Sequence, residues 1–424
     1  MRIKKEVRKI VASVLAFLMV VSLIPVNSLM TKANAASKTT FEGGKTVEDG
    51  TWKGWTWNVF GSSTDVTKAS ATDTGNGGVT LEVTGDKGKI NGSASDQGLN
   101  TFLYELDKSY DFTITAQAKI DTLATNEQAA FGLTIRDNVG THGNTTKLTA
   151  DKNNFAFVGG YGNKDNNADE TTNHGNAGYK TTKLKHTRLG KSPAVGGTYD
   201  LAIQKIGDSV KLYFDGEVAT ECSAADLITD DTMYVGLFAA RNAKITFNNV
   251  KLAYTQDSSS VKVTNVTAPK KTTYCAGNTY EDVDLTGFKA TVSVDGKERE
   301  ITAADCVVDM SSKPFSEVTE AGKLNLLYLG QVIEVPITVI KEVVSDMYIE
   351  YMPVKTDYMV TDTALDFTGL VGKVVYNSGR TFDLKTLIDN KDANTTVSDV
   401  DFTTAGDKEV TISHTYGDVT KDVI

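Results

Sequence analysis

The chain has 424 residues and a formal net charge of −10, an excess of acid that argues against nucleic acid as a partner. Thr, Val, Gly, Asn and Asp are abundant, which predicts many strands and turns rather than long helices. Three cysteines leave at least one thiol unpaired, so disulfides are not what holds the fold together.

At the start, Lys4, Lys5, Arg8 and Lys9 precede an apolar run from Ile10 to Leu23, and the small-residue site Ala33-Asn34-Ala35 follows. This is the layout of a secretory signal cut after Ala35. The run is short for a membrane span of about 20 residues. A secreted, extracellular chain is expected, with no membrane contact once residues 1–35 are gone. About 390 residues then remain, enough for two or three domains.

Residues 36–255 read as one large β domain. Tyr110, Phe112, Ile114, Ala116, Ala118 and Ile120 alternate with polar residues, and so do Phe131, Leu133 and Ile135. A period of two gives each strand one buried and one open face. Further alternations occur at Val79-Leu81-Val83, Tyr199-Leu201-Ile203, Val210-Leu212-Phe214 and Met233-Val235-Leu237. Asp215-Gly216 signals a tight hairpin. The phase shift after Asn248-Asn249 signals a bulge. No segment keeps helical spacing for three turns. The expected fold class is all-β: an antiparallel two-sheet sandwich, or jelly roll, followed by smaller sandwiches.

Two stretches, KIGDSVKLYFDGE (205–217) and YVGLFAARNAKITFNNVKL (234–252), resemble the closing half of a laminin-G or concanavalin-like sandwich. WTWNVFGSS (55–63), GKI (88–90) and FGLTIRD (131–137) resemble the sandwich module attached to bacterial pectate lyases. The resemblance covers most of residues 41–255. It implies a lectin-like module that binds plant cell-wall polysaccharide.

After a polar linker at 256–260, PKKTTY (269–274) recurs as PVKTDY (353–358), 84 residues on. Asp284-Leu285-Thr286-Gly287-Phe288 recurs as Asp366-Phe367-Thr368-Gly369-Leu370, and Ala321-Gly322 as Ala405-Gly406. Two repeats of this length suit small β sandwiches, at 256–343 and 344–424. They resemble the bacterial Ig-like domains of Gram-positive surface and secreted enzymes, which implies a spacer role. Cys275 and Cys306 fall in the first repeat, where they could pair. Cys222 reads as a small buried apolar residue. The second repeat stops at Val423-Ile424, short of its counterpart strand, so a truncated product is expected.

No catalytic pattern emerges. Glu105-Leu106-Asp107-Lys108-Ser109 falls one carboxylate short of the E-x-D-x-E strand of jelly-roll glucanases. None of His142, His174, His186 and His414 stands in a metal-ligand motif. A nucleophile elbow is absent, as are the stacked short repeats of a pectate lyase β-helix. No cofactor is required. A structural calcium is the one cofactor considered, with Asp165, Asn167 and Asp169 as alternate oxygen ligands. The resemblance adds Glu42.

For sugar binding, flat aromatic faces and planar hydrogen bonders are needed. Trp55 and Trp57 share a parity and hence a face, although the tryptophans also suit the plug of a sandwich end. Tyr161 and Tyr179 flank an Asn/Gly-rich loop. Arg136 lies on the strand face opposite Phe131, Leu133 and Ile135. Lys180 to Lys191 holds five cations and no acid, with Lys185 and Arg188 at its centre. A local charge reversal of this kind suits an anionic polymer such as polygalacturonate. The expected function is non-catalytic binding of pectic polysaccharide. The alternatives are the accessory part of a pectate lyase whose catalytic domain lies past residue 424, and a surface adhesin for a host or cell-wall glycan.

Overall fold

The computed structural model describes residues 39–61, 64–90, 98–125, 128–146, 148, 153–162 and 173–424. The expected signal segment lies outside them. The large N-terminal body contains fifteen strands: β1 (Thr39–Thr40), β2 (Trp55–Phe60), β3 (Ala69–Gly75), β4 (Gly78–Val83), β5 (Leu99–Asp107), β6 (Asp111–Leu123), β7 (Ala130–Arg136), β8 (Phe155–Gly162), β9 (Asn173–Lys180), β10 (Leu184–Arg188), β11 (Thr198–Ile206), β12 (Ser209–Phe214), β13 (Glu217–Ser223), β14 (Thr232–Ala240) and β15 (Ala243–Thr255). They form an eight-stranded sheet, β1-β3-β4-β15-β6-β11-β12-β13, and a seven-stranded sheet, β10-β9-β8-β7-β14-β5-β2. The described ladders of both sheets are antiparallel.

Sequence alternation decides which side chains enter the space between the sheets. Phe112, Ile114 and Ile120 of β6 meet Phe131, Leu133 and Ile135 of β7 in one buried cluster. These two strands are consecutive in the chain yet belong to different sheets. Pairing side by side would bury one edge of each, whereas facing each other buries both apolar stripes. The Asp215-Gly216 turn has positive φ at both residues (45° and 77°), as a two-residue hairpin requires. The bulge falls between Asn248 and Lys251, with Asn249 at φ 51°.

Two small sandwiches follow. The first contains β16 (Lys262–Thr267), β17 (Thr273–Cys275), β18 (Lys289–Val294), β19 (Lys297–Thr302), β20 (Val307–Asp309), β21 (Thr319–Tyr328) and β22 (Gln331–Ile340). Its sheets are β16-β18-β19 and β17-β22-β21-β20. The second contains β23 (Val344–Tyr351), β24 (Val371–Tyr376), β25 (Thr381–Asp383), β26 (Thr395–Val397), β27 (Ile412–Tyr416) and β28 (Val419–Val423), in sheets β23-β24-β25 and β26-β27-β28. The repeat is visible atom by atom. Tyr274 hydroxyl bonds the backbone of Asp284 (3.3 and 3.4 Å), and Tyr358 hydroxyl bonds that of Asp366 (2.8 and 3.3 Å). All three cysteines are free thiols, so Cys275 and Cys306 are not joined. Burial pushes the half-buried Cys222 thiol up to about 12.

The first small sandwich is docked on the large one. Ala202 and Tyr213 pack with Val307 and Leu327 across the junction. Thr115 Oγ1 donates to Ala304 O (2.6 Å), and Tyr280 hydroxyl donates to Asp200 (2.8 Å). Lys191 Nζ bridges Asp215 of the large body (2.8 Å) and Glu281 of the small one (2.6 Å).

Candidate functional site

The seven-stranded sheet turns its second face away from the core, and its ladder registers fix which side chains share it. Lys180, Phe155, Arg136 and Tyr234 form one row across β9, β8, β7 and β14. Further along lie Asn176, Gly159, Gly132, Phe238, Thr101 and Asn58. Gly132 and Gly159 are direct partners with φ near 150° and 155°. A Cβ on either would fall about 2 Å from a carbonyl oxygen of the neighbouring strand. Only glycine fits there, so the sheet floor is bare between Phe157, Tyr161 and Phe238.

Arg136 lies on this face, as its parity requires, but it is enclosed rather than open. It is 1% exposed, its Nη2 donates to Asn153 Oδ1 (2.9 Å), and its Nε donates to Asn138 O (3.2 Å). The guanidinium carbon sits 5.0 Å from the Phe155 ring centre. Lys180 is also buried and donates to Asn153 O (3.1 Å). Asn153, two residues before β8, holds both cations. Burial pushes Arg136 down to about 9. It lowers Lys180 too, and the neighbouring guanidinium adds to that shift. Asp137 does not pair across the face, because it accepts from Thr229 N, Thr229 Oγ1 and Asp230 N. Among the described residues, Asn153 Nδ2 and Asn154 Oδ1 beside the cations, and Asn58 Oδ1 on β2, are buried with no hydrogen-bond partner. Polar atoms in that state are costly to bury.

The accessible cations lie on the rim. β10 is the edge strand, paired through Lys185↔Tyr179 and Arg188↔Asn176. Lys183 and Lys185 are exposed, and Arg188 and Tyr179 are half-buried. The Lys185 ammonium stands 5.5 Å from the Tyr179 ring centre. His186 is exposed, meets Asn176 Oδ1 through Nδ1 (3.0 Å), and sets its ring edge-on to Tyr161 at 5.7 Å.

Several expected site residues need correction. Trp55 and Trp57 do share a face, but it is the inner one, and they are 5% and 8% exposed. Trp55 stacks on Phe102 (5.3 Å between centres), and Trp57 Nε1 donates to Asn100 Oδ1 (2.7 Å). They close one end of the sandwich with Trp52 and Phe41, and neither offers a ring to solvent. Tyr161 is likewise buried, its hydroxyl directed at Ile90 O. The basic stretch is not one patch. Alternation sends Lys180 under the face, leaves Lys183 and Lys185 outside, and the chain then carries Lys191 to the junction with the first repeat. Glu42 is exposed and pairs with Lys45 (2.6 Å). Asp165, Asn167 and Asp169 lie outside the described residues, among which no group of three or more His, Cys, Asp or Glu could hold a metal. Asp107 accepts from Ser109 N and Oγ, as a solvated turn residue does.

Asn153, Phe155 and Asn176 were not legible as site residues. They reach the cations only through the pairing of β7, β8 and β9, and no local pattern announces that pairing.

Residues 58–257 match the family model of the pectate disaccharide-lyase N-terminal domain. Pectate lyase L of Thermoclostridium stercorarium is 28% identical over 330 residues, 77% of this chain. The chain spans 24% of the length of that relative. Among solved structures, the carbohydrate-binding module CBM66 from Bacillus subtilis aligns with a TM-score of 0.27 and 14% identity, over 50% of this chain and 98% of the other. Lectin UEA-II complexed with galactose aligns with a TM-score of 0.31 and 11% identity, over 51% of this chain and 97% of the lectin. The large sandwich is thus related to the N-terminal region of pectate lyases.

Proposed function

We propose that this is a secreted carbohydrate-binding protein whose large sandwich takes an anionic, pectic polysaccharide along the β9–β10 edge and does no chemistry on it. The observation that carries this reading is the edge itself. In a chain of net −10, the edge strand β10 carries Lys185 over the Tyr179 ring and Arg188 on its opposite face, with Lys183 in the turn just before it. Polygalacturonate offers one carboxylate per sugar. Arginine meets a carboxylate with two parallel hydrogen bonds, lysine with a mobile point charge, and an aromatic face takes the C–H side of a pyranose. Secretion follows from the expected signal at 1–35, and a structural calcium stays a proposal that metal titration would test.

Affinity electrophoresis of the full chain in polygalacturonate, against xylan and cellulose, tests the reading. Retardation in the anionic gel alone is expected, weakening as salt rises toward the range where the Debye length is about 8 Å. The double variant Lys185→Ala/Arg188→Ala should lose about tenfold in affinity, or roughly 1.4 kcal/mol. Equal mobility in all three gels at low salt sinks the idea.

A second reading is favoured by the relative's name and the fraction of it that this chain spans. Here the same sandwich is the accessory part of a larger pectate lyase. It would raise the effective concentration of a catalytic module at an insoluble substrate. Fusing the chain to an unrelated pectate-cleaving domain should then speed cleavage of insoluble pectin and leave soluble pectin unchanged.

A further inference from the structure

Where the first small sandwich lies on the large one, the contact does not close throughout. Thr115 Oγ1 donates to Ala304 O (2.6 Å), Tyr280 hydroxyl to Asp200 Oδ2 (2.8 Å) and Met310 N to Gly216 O (3.0 Å). A Cβ on Gly216 would fall 2.6 Å from Val308 O, so the two backbones touch there. Among these contacts an open slot of about 200 Å³ remains between the two bodies. Drug-sized sites run to about 300–1,000 Å³, so an occupant of this one is limited to the size of a single ring.

The two walls of the slot differ in chemistry. The large sandwich supplies a polar floor, where Gln117 of β6 and Asp200 of β11 are direct cross-strand partners and Asn249 of the β15 bulge stands beside them. Asn249 Nδ2 donates to Gln117 Oε1 (2.8 Å), and Tyr280 hydroxyl occupies Asp200 Oδ2. Among the described residues, Gln117 Nε2 is left as a donor, and Asp200 Oδ1 and Asn249 Oδ1 as acceptors, with no protein partner. The first repeat supplies an apolar wall from Val283, Leu285 and Ala303, which pack against its core yet stay half-buried. The bodies touch on either side of this wall and leave it uncovered, and an unfilled apolar gap forfeits dispersion contacts.

We propose that the junction slot is a binding subsite for one neutral pyranose ring. The C–H side of the ring lies on Val283 and Leu285, and its hydroxyls, each able to donate and accept, meet Gln117, Asp200 and Asn249. Charge narrows the class of sugar. Among the described residues Asp200 is the one carboxylate lining the slot, and no cation lines it. A uronate would therefore set like charges together in a partly dry cleft. The slot lies apart from the β9–β10 edge and selects the opposite class of sugar. A polymer carrying both acidic and neutral rings would meet two kinds of site on one chain.

The test titrates the full chain with the methyl glycosides of galactose, glucose, xylose and rhamnose, followed by saturation-transfer NMR. Galacturonate is titrated into the Lys185→Ala/Arg188→Ala chain, so that the edge does not contribute. At least one neutral glycoside should bind, and galacturonate should bind about tenfold more weakly or not at all. Gln117→Ala/Asn249→Gly removes two polar side chains and keeps a residue that tolerates the φ of 51° at position 249. It should weaken the neutral glycoside about tenfold. Leu285→Trp, which fills the slot, should abolish binding. Both variants should keep their retardation in polygalacturonate, which separates a failure of the slot from a failure of the edge. No binding by any neutral glycoside overturns the proposal. So does undiminished binding in either variant, or galacturonate binding as tightly as the best neutral glycoside.

Discussion

In the first repeat Tyr274 is 1% exposed and stacks on Phe315 (4.6 Å), while in the second its counterpart Tyr358 is half-buried against Phe402 (5.5 Å). Both tyrosines clasp an aspartate backbone, and both carry a lysine over the ring, Lys271 at 4.7 Å and Lys355 at 4.4 Å. The clasp is local: a Lys-x-x-Tyr and an Asp-x-Thr-Gly a few residues apart suffice to build it. What surrounds it is not local. The first repeat is flanked by the large sandwich and by the second repeat, with Cys275 Sγ facing Asn377 Oδ1 (3.4 Å). The same motif sits in a closed core in one case and at an open groove in the other.

The largest effect expected from this contrast is at the clasp. Tyr274→Ala should cost about 3–5 kcal/mol, the range for a fully buried aromatic, whereas Tyr358→Ala should cost about 1–2 kcal/mol, a typical surface-to-intermediate loss. Urea unfolding of the two full-length variants measures both, and equal losses would erase the distinction. Next comes the junction. Cutting the chain after Thr255 uncovers Ala202 and Tyr213 and removes the partners of Thr115 and Asp200. The melting temperature of the large sandwich should fall by about 2–8 °C, equivalent to roughly 1–2 kcal/mol for a domain near 200 residues.

A smaller effect separates the repeats by pH. Counting back from the hairpin tyrosine, Leu326 of the first repeat is replaced by His414 in the second, and both are buried. His414 lies between Tyr376 hydroxyl and Thr395 Oγ1, each at 2.8 Å. Burial lowers its affinity for a proton, and Asp392 at 3.8 Å only partly opposes that. The folded state thus binds fewer protons than the unfolded one. Stability contributed by the neutral ring is present above the unfolded value of about 6.5 and is lost as pH falls below it, by at most about 1.4 kcal/mol per pH unit. Calorimetry between pH 7 and 5 should show the second repeat's transition moving down while the first stays, and His414→Leu should abolish the shift. The smallest effect is at Glu281. Its hydrogen bond from Lys191, followed by that from Thr279, holds its carboxyl down at about 2. Its stabilisation is present above about pH 4.5 and lost as pH falls toward 2. Being largely solvent-exposed, it should cost under about 1 kcal/mol as Glu281→Gln, read as a lost acid-side slope of the junction.

The parts of this molecule that alternation or a turn signal controls were readable in advance. The strands at Val79–Val83, Val210–Phe214 and Met233–Leu237, the Asp215-Gly216 turn and the Asn248-Asn249 bulge all follow from spacing of two and its interruption. The repeat was readable, but the hydrogen-bonded clasp it builds was not. Long-range pairing was not readable. Parity put Arg136 on the right face, but only the return of the chain to Asn153 and the β8–β9 register enclose it with Lys180. Trp55 and Trp57 were placed together correctly, yet which face of a strand is inner depends on Phe102 and Tyr104, forty-odd residues away. The basic run looked continuous because sequence does not show that a hairpin divides it.

The Lys191 bridge has a mechanical corollary. With Tyr280–Asp200 and the apolar contact around Tyr213, it removes rotational freedom between the large sandwich and the first repeat, so those 300 or so residues should diffuse as one particle. The next joint, at Lys341–Val343, is held by polar contacts, Asn377, the Glu342–Arg380 pair and the exposed Lys341–Asp418 pair, with no apolar wedge comparable to Tyr213 among the described residues. Swivelling is expected there rather than at the linker. Rotational correlation times from spin relaxation should therefore change at Lys341 and not at Gln256, placing the pivot one module farther from the β9–β10 edge than the polar linker suggests.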